Sequence, residues 1–270
     1  MKRLMFQVIT LVATALLALL PLRYVRTASP DPRPIGDATM RIPVLIELFT
    51  SEGCSDCPPA DALLEKLDRS QPVRNAQLVV LSEHVDYWND IGWKDPYSSH
   101  EFSVRQGDYA HRFRLDSAYT PQMVVDGDAQ FVGSDERRAI QAIEGAAKGE
   151  KVPVGLSSVH LEGNTLVARA ETGVLSSSTS WKSADVLLAL ADDNDQSNVR
   201  RGENAGRILT HVAVVQTLTQ VGTIDPGGAF SKDVKVGTEN ANPRNLRVVA
   251  IVQEIATGRV LGLGTARLSN

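Results

Sequence analysis

The sequence predicts an α/β domain over residues 41–150, followed by an all-β, sandwich-like domain over residues 151–270. Three observations predict it. First, an apolar run of strand length, Val44 to Phe49, leads through a short loop into a helical pattern that opens on Pro58 and Pro59, and a second apolar run, Leu78 to Leu81, follows. A strand, a helix and a strand within about 40 residues make a βαβ unit with a parallel pair. Second, the loop inside that unit carries the only two cysteines of the chain, Cys54 and Cys57. A Cys-x-x-Cys pair beside a βαβ pattern reads as a thioredoxin-like redox motif. Third, from Val152 onward the texture changes to short alternating runs separated by turn signals.

The elements follow in chain order. Met1-Lys2-Arg3 precedes an apolar run from Leu4 to Leu22. Two cations before such a run read as an export signal. The run is also long enough to span a bilayer at about 1.5 Å per residue. Pro21-Leu22-Arg23-Tyr24-Val25-Arg26 offers poor small-residue cleavage chemistry. Residues 1–26 are therefore a signal peptide or an N-terminal inner-membrane anchor. Either places the body of the chain in the periplasm or outside the cell. Residues 27–40 hold three prolines and no apolar period, and read as a linker. The net charge of -4 offers no global basic field, so nucleic acid is not an expected partner.

In the α/β domain, Pro58 and Pro59 suit a first helical turn, where their missing N–H groups cost nothing. Ala60, Leu63, Leu64 and Leu67 then recur at helical spacing, and Ser70-Gln71-Pro72 closes the helix. Residues 84–119 are rich in aromatic and polar side chains without a clean period, and read as an insertion. Within it, Phe102 to Arg114 forms a helix with Phe102, Arg105, Gln106, Tyr109 and Phe113 near one side. Tyr119-Thr120-Pro121 starts a short strand. Asp126-Gly127 turns it, and Ala129 to Val132 returns antiparallel. A helix starts at Ser134 as N-cap and runs to about Lys148. Seven strands are expected beyond, over 152–159, 165–171, 184–192, 209–218, 229–236, 246–255 and 259–267. That number at that spacing suggests a β-sandwich.

The spacing of Cys54 and Cys57 brings two sulfurs within disulfide reach at a helix N-terminus. The N–H donors and positive potential there favour a thiolate. Cys54 is expected to be the exposed nucleophile, and Cys57, one turn in, the resolving thiol. Glu52 and Asp56 load the motif with negative charge, which raises a thiol pKa and argues for a reducing rather than strongly oxidising couple. Thr120-Pro121 resembles the loop that carries a cis proline opposite the redox pair in thioredoxin-fold proteins. Glu47 resembles their buried acid, able to take a proton from Cys57 through water. A solvent-facing strand residue is its alternative reading.

Longer stretches carry a further resemblance. They are Val44 to Asp61 around the cysteines, Ser82-Glu83-His84-Val85-Asp86-Tyr87-Trp88-Asn89, Gly92-Trp93-Lys94-Asp95-Pro96, Tyr119-Thr120-Pro121-Gln122-Met123 and Arg201-Gly202-Glu203-Asn204-Ala205-Gly206-Arg207. Together they resemble an uncharacterised family of secreted bacterial proteins, a "domain of unknown function" family placed among thioredoxin-like folds. The resemblance covers about residues 42–267. It implies fold and export and supplies no substrate.

His84 and Asp86 follow the second strand, where a parallel sheet opens its ligand crevice. With Trp88 and Trp93 they are the candidate substrate-binding residues, the tryptophans forming a wall beside the cysteines or simply the core of the insertion. Two thiolates plus His84 would suit Cu(I), but His100, His111, His160 and His211 are scattered and no metal set is assigned. No cofactor is expected. Arg200 to Arg207 clamps an anion, docks against the first domain, or is a solvated loop. The leading expectation is an exported thiol–disulfide oxidoreductase acting on a protein or small-thiol disulfide substrate. A copper-handling protein and a non-catalytic interaction protein with a structural disulfide are the alternatives.

Overall fold

The computed structural model describes residues 41–177, 181–238, 241–243 and 245–268. The segments expected as signal or anchor (1–26) and linker (27–40) lie outside them. Among the described residues no helix is long and apolar enough to cross a membrane.

Strand β1 (Ile42–Thr50) pairs in parallel with β2 (Ala76–His84), in register from Ile42 opposite Ala76 to Thr50 opposite His84. The crossover is helix α1 (Pro58–Ser70), which buries Ala60, Asp61, Leu63, Leu64 and Leu67. That spacing is one apolar stripe of a helix, and it packs with Val44, Ile46 and Leu48 of β1. Gln71 ends α1 in the left-handed region and returns its N–H to the Leu67 carbonyl.

The aromatic insertion leads into α2 (His100–Arg112), capped by the Ser99 hydroxyl accepting from the Glu101 N–H. Strand β3 (Gln122–Val125) then lies antiparallel to β1, and β4 (Ala129–Val132) antiparallel to β3. Asp126 and Gly127 in the turn both have positive φ, the conformation for which Asp and Gly are suited. Helix α3 (Glu136–Ala146) starts one residue later than expected. Its N-cap is Asp135, whose carboxylate accepts from the Arg138 N–H at 3.0 Å. Ser134 stands one position too early to reach that donor in the first turn.

The second half contains β5 (Val154–Glu162), β6 (Thr165–Thr172), β7 (Ala184–Asp192), β8 (Asp195–Asn198), β9 (Ile208–His211), β10 (Val214–Ile224), β11 (Ser231–Gly237), β12 (Leu246–Glu254) and β13 (Val260–Arg267). The strand expected over 209–218 is split in two, because Ala213 takes a positive φ between β9 and β10. Strand β8 is polar throughout, so no alternation announced it.

Strands from both halves share one eight-stranded mixed sheet, in the order β13-β12-β7-β10-β2-β1-β3-β4. The three-stranded sheet β11-β6-β5 packs on its far half through Leu166, Val186, Leu188, Val234, Val248 and Val252. The two sheets share a core, and the larger one runs on into the first half of the chain. The boundary expected at 150/151 does not separate the sheets. The join is at Val214 opposite Ser82, where the Ser82 N–H donates to the Ala213 carbonyl at 2.8 Å. The reason is that β2 is buried from Leu78 to His84, and a buried strand edge must satisfy its polar backbone. The period of two along β12 sends Val249 and Ile251 to the core shared with α1, and Val248, Ala250 and Val252 to the core between the two sheets. The fold is β-rich, with three helices among the described residues.

Candidate functional site

Two successive turns shape the loop between β1 and α1. The Cys54 N–H donates to the Ser51 carbonyl at 3.1 Å and the Cys57 N–H to the Cys54 carbonyl at 3.3 Å. They leave the Cα atoms 5.4 Å apart, and the sulfurs are joined as a disulfide. Cys57 is the N-cap residue of α1, not a residue one turn into it, and Cys54 precedes the helix. The expected exposure of Cys54 also fails: Cys54 is 1% and Cys57 0% exposed.

The cover is the arginine-glycine segment of the second half. The Asn204 side-chain amide donates to the carbonyls of Glu52 and Cys54. Glu203 accepts from the Ser55 N–H at 3.1 Å. The segment is closed on itself by Val199 N–H to the Arg207 carbonyl and Gly206 N–H to the Val199 carbonyl. Gly202 has a positive φ and lies against Trp93, where a Cβ would come within 3.1 Å of the Trp93 Cβ. Of the three roles expected for this segment, it performs docking.

The tryptophans flank the disulfide loop. Trp88 donates to the Thr120 hydroxyl at 2.8 Å and packs at Gly53, where a Cβ would sit 3.0 Å from the Trp88 Cβ. Trp93 donates to the Glu52 carboxylate at 2.7 Å. The Thr120-Pro121 bond is cis. Pro121 accepts from the Gly133 N–H at 3.0 Å, and Gly133 lies among Leu48, Ala60 and Pro121. That puts Pro121 beside the first turn of α1. Cys54, Cys57, Thr120, Pro121, Trp88 and Trp93 thus gather at one end of the sheet.

Glu47 and Asp86 do not join them. Leu48 packs toward α1, so its neighbour Glu47 points to the opposite face of the sheet. There Glu47, 0% exposed, accepts from Arg105 at 2.5 and 2.7 Å and from the Tyr109 hydroxyl at 2.6 Å. It is neither a solvent-facing residue nor the acid beneath Cys57. Beside it the Glu83 carboxyl has no hydrogen-bond partner, and burial followed by the Glu47 charge pushes it well above the usual carboxylate range. Asp86 accepts from Ser103 at 2.5 Å and contacts His100 at 3.1 Å at the start of α2. The Ser103 bond holds its carboxyl below the ordinary value.

His84 leads instead to a buried cluster that sequence reasoning missed. Its Nδ1 lies 2.7 Å from Asp95 Oδ2, and its ring is 4.6 Å from the His211 ring, with Tyr97 5.4 and 5.6 Å from the two. His211 Nε2 is 3.2 Å from Glu52 Oε1, an oxygen that also accepts from Ser197. The Glu52 N–H donates to Asp95 at 2.8 Å. Asp61 of α1 accepts from the Thr50 hydroxyl at 2.9 Å and faces His211 Nδ1 at 3.9 Å. Burial opposes charging of His84, but the Asp95, Asp61 and Glu52 carboxylates outweigh it and raise its pKa. Burial likewise opposes ionisation of Asp95, yet the His84 ring and the N–H groups of Glu52 and Tyr97 bring it down to about 2. For Asp61 burial prevails, and its pKa is raised. The one available signal was that His211 follows the arginine-glycine segment within a few residues. Among the described residues no group of three His, Cys, Asp or Glu side chains has metal-binding geometry, and the two thiols of the Cu(I) set are here joined to each other.

The fold and site define a β-rich protein with a mixed sheet and a covered Cys-x-x-Cys disulfide at a helix N-terminus. The chain belongs to the family described as "Protein of unknown function (DUF1223)", whose model matches residues 45–253. It is similar to a protein of Agrobacterium tumefaciens solved by X-ray crystallography, with 28% identity, a TM-score of 0.63, and coverage of 85% of this chain and 96% of that one. HBP35 of Porphyromonas gingivalis shares 13% identity and a TM-score of 0.57, over 85% of this chain and 76% of that one, a likeness of fold alone. No curated protein sequence matches the chain.

Proposed function

We propose that the protein is an exported thiol–disulfide oxidoreductase with a thioredoxin-like α/β core, acting on protein or small-thiol disulfides. The observation that carries this reading is the Cys54–Cys57 disulfide at the N-terminus of α1, with Pro121 packed beside that turn. The order β2-β1-β3-β4, with α1 between the parallel strands and the hairpin antiparallel to β1, supports the core assignment. The basic and apolar residues from Met1 to Leu22 support export. Chemically, the helix N-terminus stabilises a thiolate at the pair. Trp88 and Trp93 supply flanking surface for a substrate. The Asn204 segment must lift for a substrate sulfur to reach Cys54.

The test is exchange with glutathione disulfide and reduction of insulin by the reduced protein. Cys54→Ser abolishes both, and Cys57→Ser accumulates mixed disulfides with client proteins. Retention of full activity in Cys54→Ser overturns the reading.

The burial of both sulfurs favours a second reading, a purely structural disulfide. Magnitude argues against it, because closing so short a loop restricts the unfolded chain by only about 2 kcal/mol. A Cys54→Ala/Cys57→Ala variant that loses far more stability than that, from a wild type inert to thiols, would favour the structural role.

A further inference from the structure

We propose that Asp61 and His211, backed by His84, form the buried proton-exchange unit of the Cys54–Cys57 couple, so that the second half of the chain completes the redox site. The proposal rests on the oxidoreductase reading above.

The need for such a unit follows from burial. Cys57 is 0% exposed. Suppose the thiolate of a dithiol substrate attacks Cys54 Sγ. A substrate–Cys54 disulfide forms, the Cys54–Cys57 bond breaks, and the electron pair stays on Cys57. A thiolate released without water around it takes up a proton from the protein. The substrate's second thiol then loses its proton to solvent and attacks its own bonded sulfur, releasing Cys54 as a thiolate that is protonated from solvent. Two electrons pass from the dithiol to the cysteine pair. The two protons shed by the substrate thiols balance one taken by Cys54 and one that restores the unit.

Asp61 is placed for the Cys57 step. It stands four residues after Cys57, with its N–H on the Cys57 carbonyl at 3.0 Å. Side chains four apart on a helix share a face, and they lean toward the N-terminus, here toward Cys57. Thr50 fixes one Asp61 oxygen, and the other faces His211 Nδ1 at 3.9 Å. His211 Nδ1 and His84 Nε2 are both buried without a hydrogen-bond partner, while the opposite nitrogen of each ring is held by Glu52 and Asp95 respectively. Two fixed imidazoles, each with one unmatched nitrogen, carry a desolvation cost that structure alone does not require.

The groups facing His211 come from every element around it. They are Glu52 from the cysteine loop, Asp61 from α1, His84 from β2 with Asp95 behind it, Tyr97 from the insertion, and Asp195, its cross-strand partner on β8. Asp195 and Tyr97 also line a cavity of about 520 Å3, together with Asp192 and Ser98. One Asp195 oxygen is buried without a partner. This cavity is the path by which the unit exchanges protons with solvent while a bound substrate blocks the disulfide side.

The experiment follows reduction of the full chain by dithiothreitol from pH 5 to 9, in H2O and D2O, for wild type, Asp61→Asn and His211→Gln. The wild type is expected to show a solvent isotope effect and a pH inflection. Both variants are expected to lose that inflection and to slow by about a hundredfold. A merely structural role would lower stability and leave the shape of the profile intact. Folded variants with the wild-type profile overturn the relay while leaving the oxidoreductase reading standing. If the variants do not fold, the wild-type isotope effect decides, and its absence overturns the relay. A wild type that does not exchange with dithiothreitol removes the oxidoreductase reading and the relay together.

Discussion

A single side-chain amide, Asn204 Nδ2, donates to the carbonyl oxygens of both Glu52 and Cys54, at 2.9 Å each. It latches the second half of the chain onto the disulfide loop. Replacing Asn204 with alanine leaves two carbonyls without their donor and is expected to cost about 2 kcal/mol. It should also speed alkylation of the reduced pair by iodoacetamide by about tenfold, or 1.4 kcal/mol of opening. Urea unfolding and alkylation kinetics measure the two effects. An unchanged alkylation rate would assign control of access to another segment.

Arg105 is the cation between two buried carboxylates, 2.5 Å from Glu47 and 3.6 Å from Glu83. Arg105→Ala strands the buried Glu47 carboxylate, and a loss of about 4 kcal/mol is expected. The Glu83 carboxyl adds a pH signature. Its folded pKa is raised by burial and by Glu47, so the folded chain keeps a proton that the unfolded chain releases. The stabilisation is complete below the unfolded pKa and is lost as pH rises toward the folded one. Glu83→Gln should therefore change little at pH 4 and raise the melting temperature at pH 8. Equal shifts at both pH values would refute this assignment.

The His84–Asp95 pair predicts a band of stability. Asp95 falls to about 2 from 3.8, so its contribution is full above 3.8 and fades as pH drops toward 2. His84 rises from 6.5, so its contribution is full below 6.5 and fades as pH climbs through the folded value. Asp95→Asn should lower the melting temperature most near pH 5 and less at pH 2 and pH 9. A pH-independent loss would show that the pair acts by packing alone.

Gly127 fits where no side chain can. It has a φ of 64°, and a Cβ there would overlap the carbonyl oxygen of Gly258. The clash is with backbone, so no rotamer relieves it. Gly127→Ala is expected to destabilise by about 3 kcal/mol or more, as read from denaturant midpoints. A loss below about 1 kcal/mol would mean that the two turns separate easily.

Much of the framework was legible because it depends on local pattern. Val44 to Phe49, the Pro58-Pro59 helix start and the Asp126-Gly127 hairpin each carry their own periodicity or turn chemistry, and each forms where expected. The site was legible only near the cysteines. Trp88, Trp93, Thr120 and Pro121 lie beside Cys54 and Cys57, whereas Glu47 was misassigned because an alternating strand shows which residues share a face but not which face a helix will cover. Asp61 and His211 were invisible as partners, since no spacing links a residue on the first helix to one on the ninth strand. The continuous sheet escaped for the same reason: pairing of Val214 with Ser82 is a tertiary choice.

That pairing has a consequence for how the chain comes together. Strand β2 is complete once residue 84 has been made, yet the strand that pairs with its open edge, at Ser82, begins only at Val214. During synthesis or refolding the first half therefore waits with an apolar, unpaired flank, a template for another chain. A fragment ending at residue 150 would keep that flank exposed for good and would tend to aggregate. In the whole chain so distant a contact makes final assembly slow, and it delays the arrival of Asn204 and His211 until the end. The cysteines are therefore open to oxidants and reductants for as long as folding is incomplete, and become shielded only when the last strands dock.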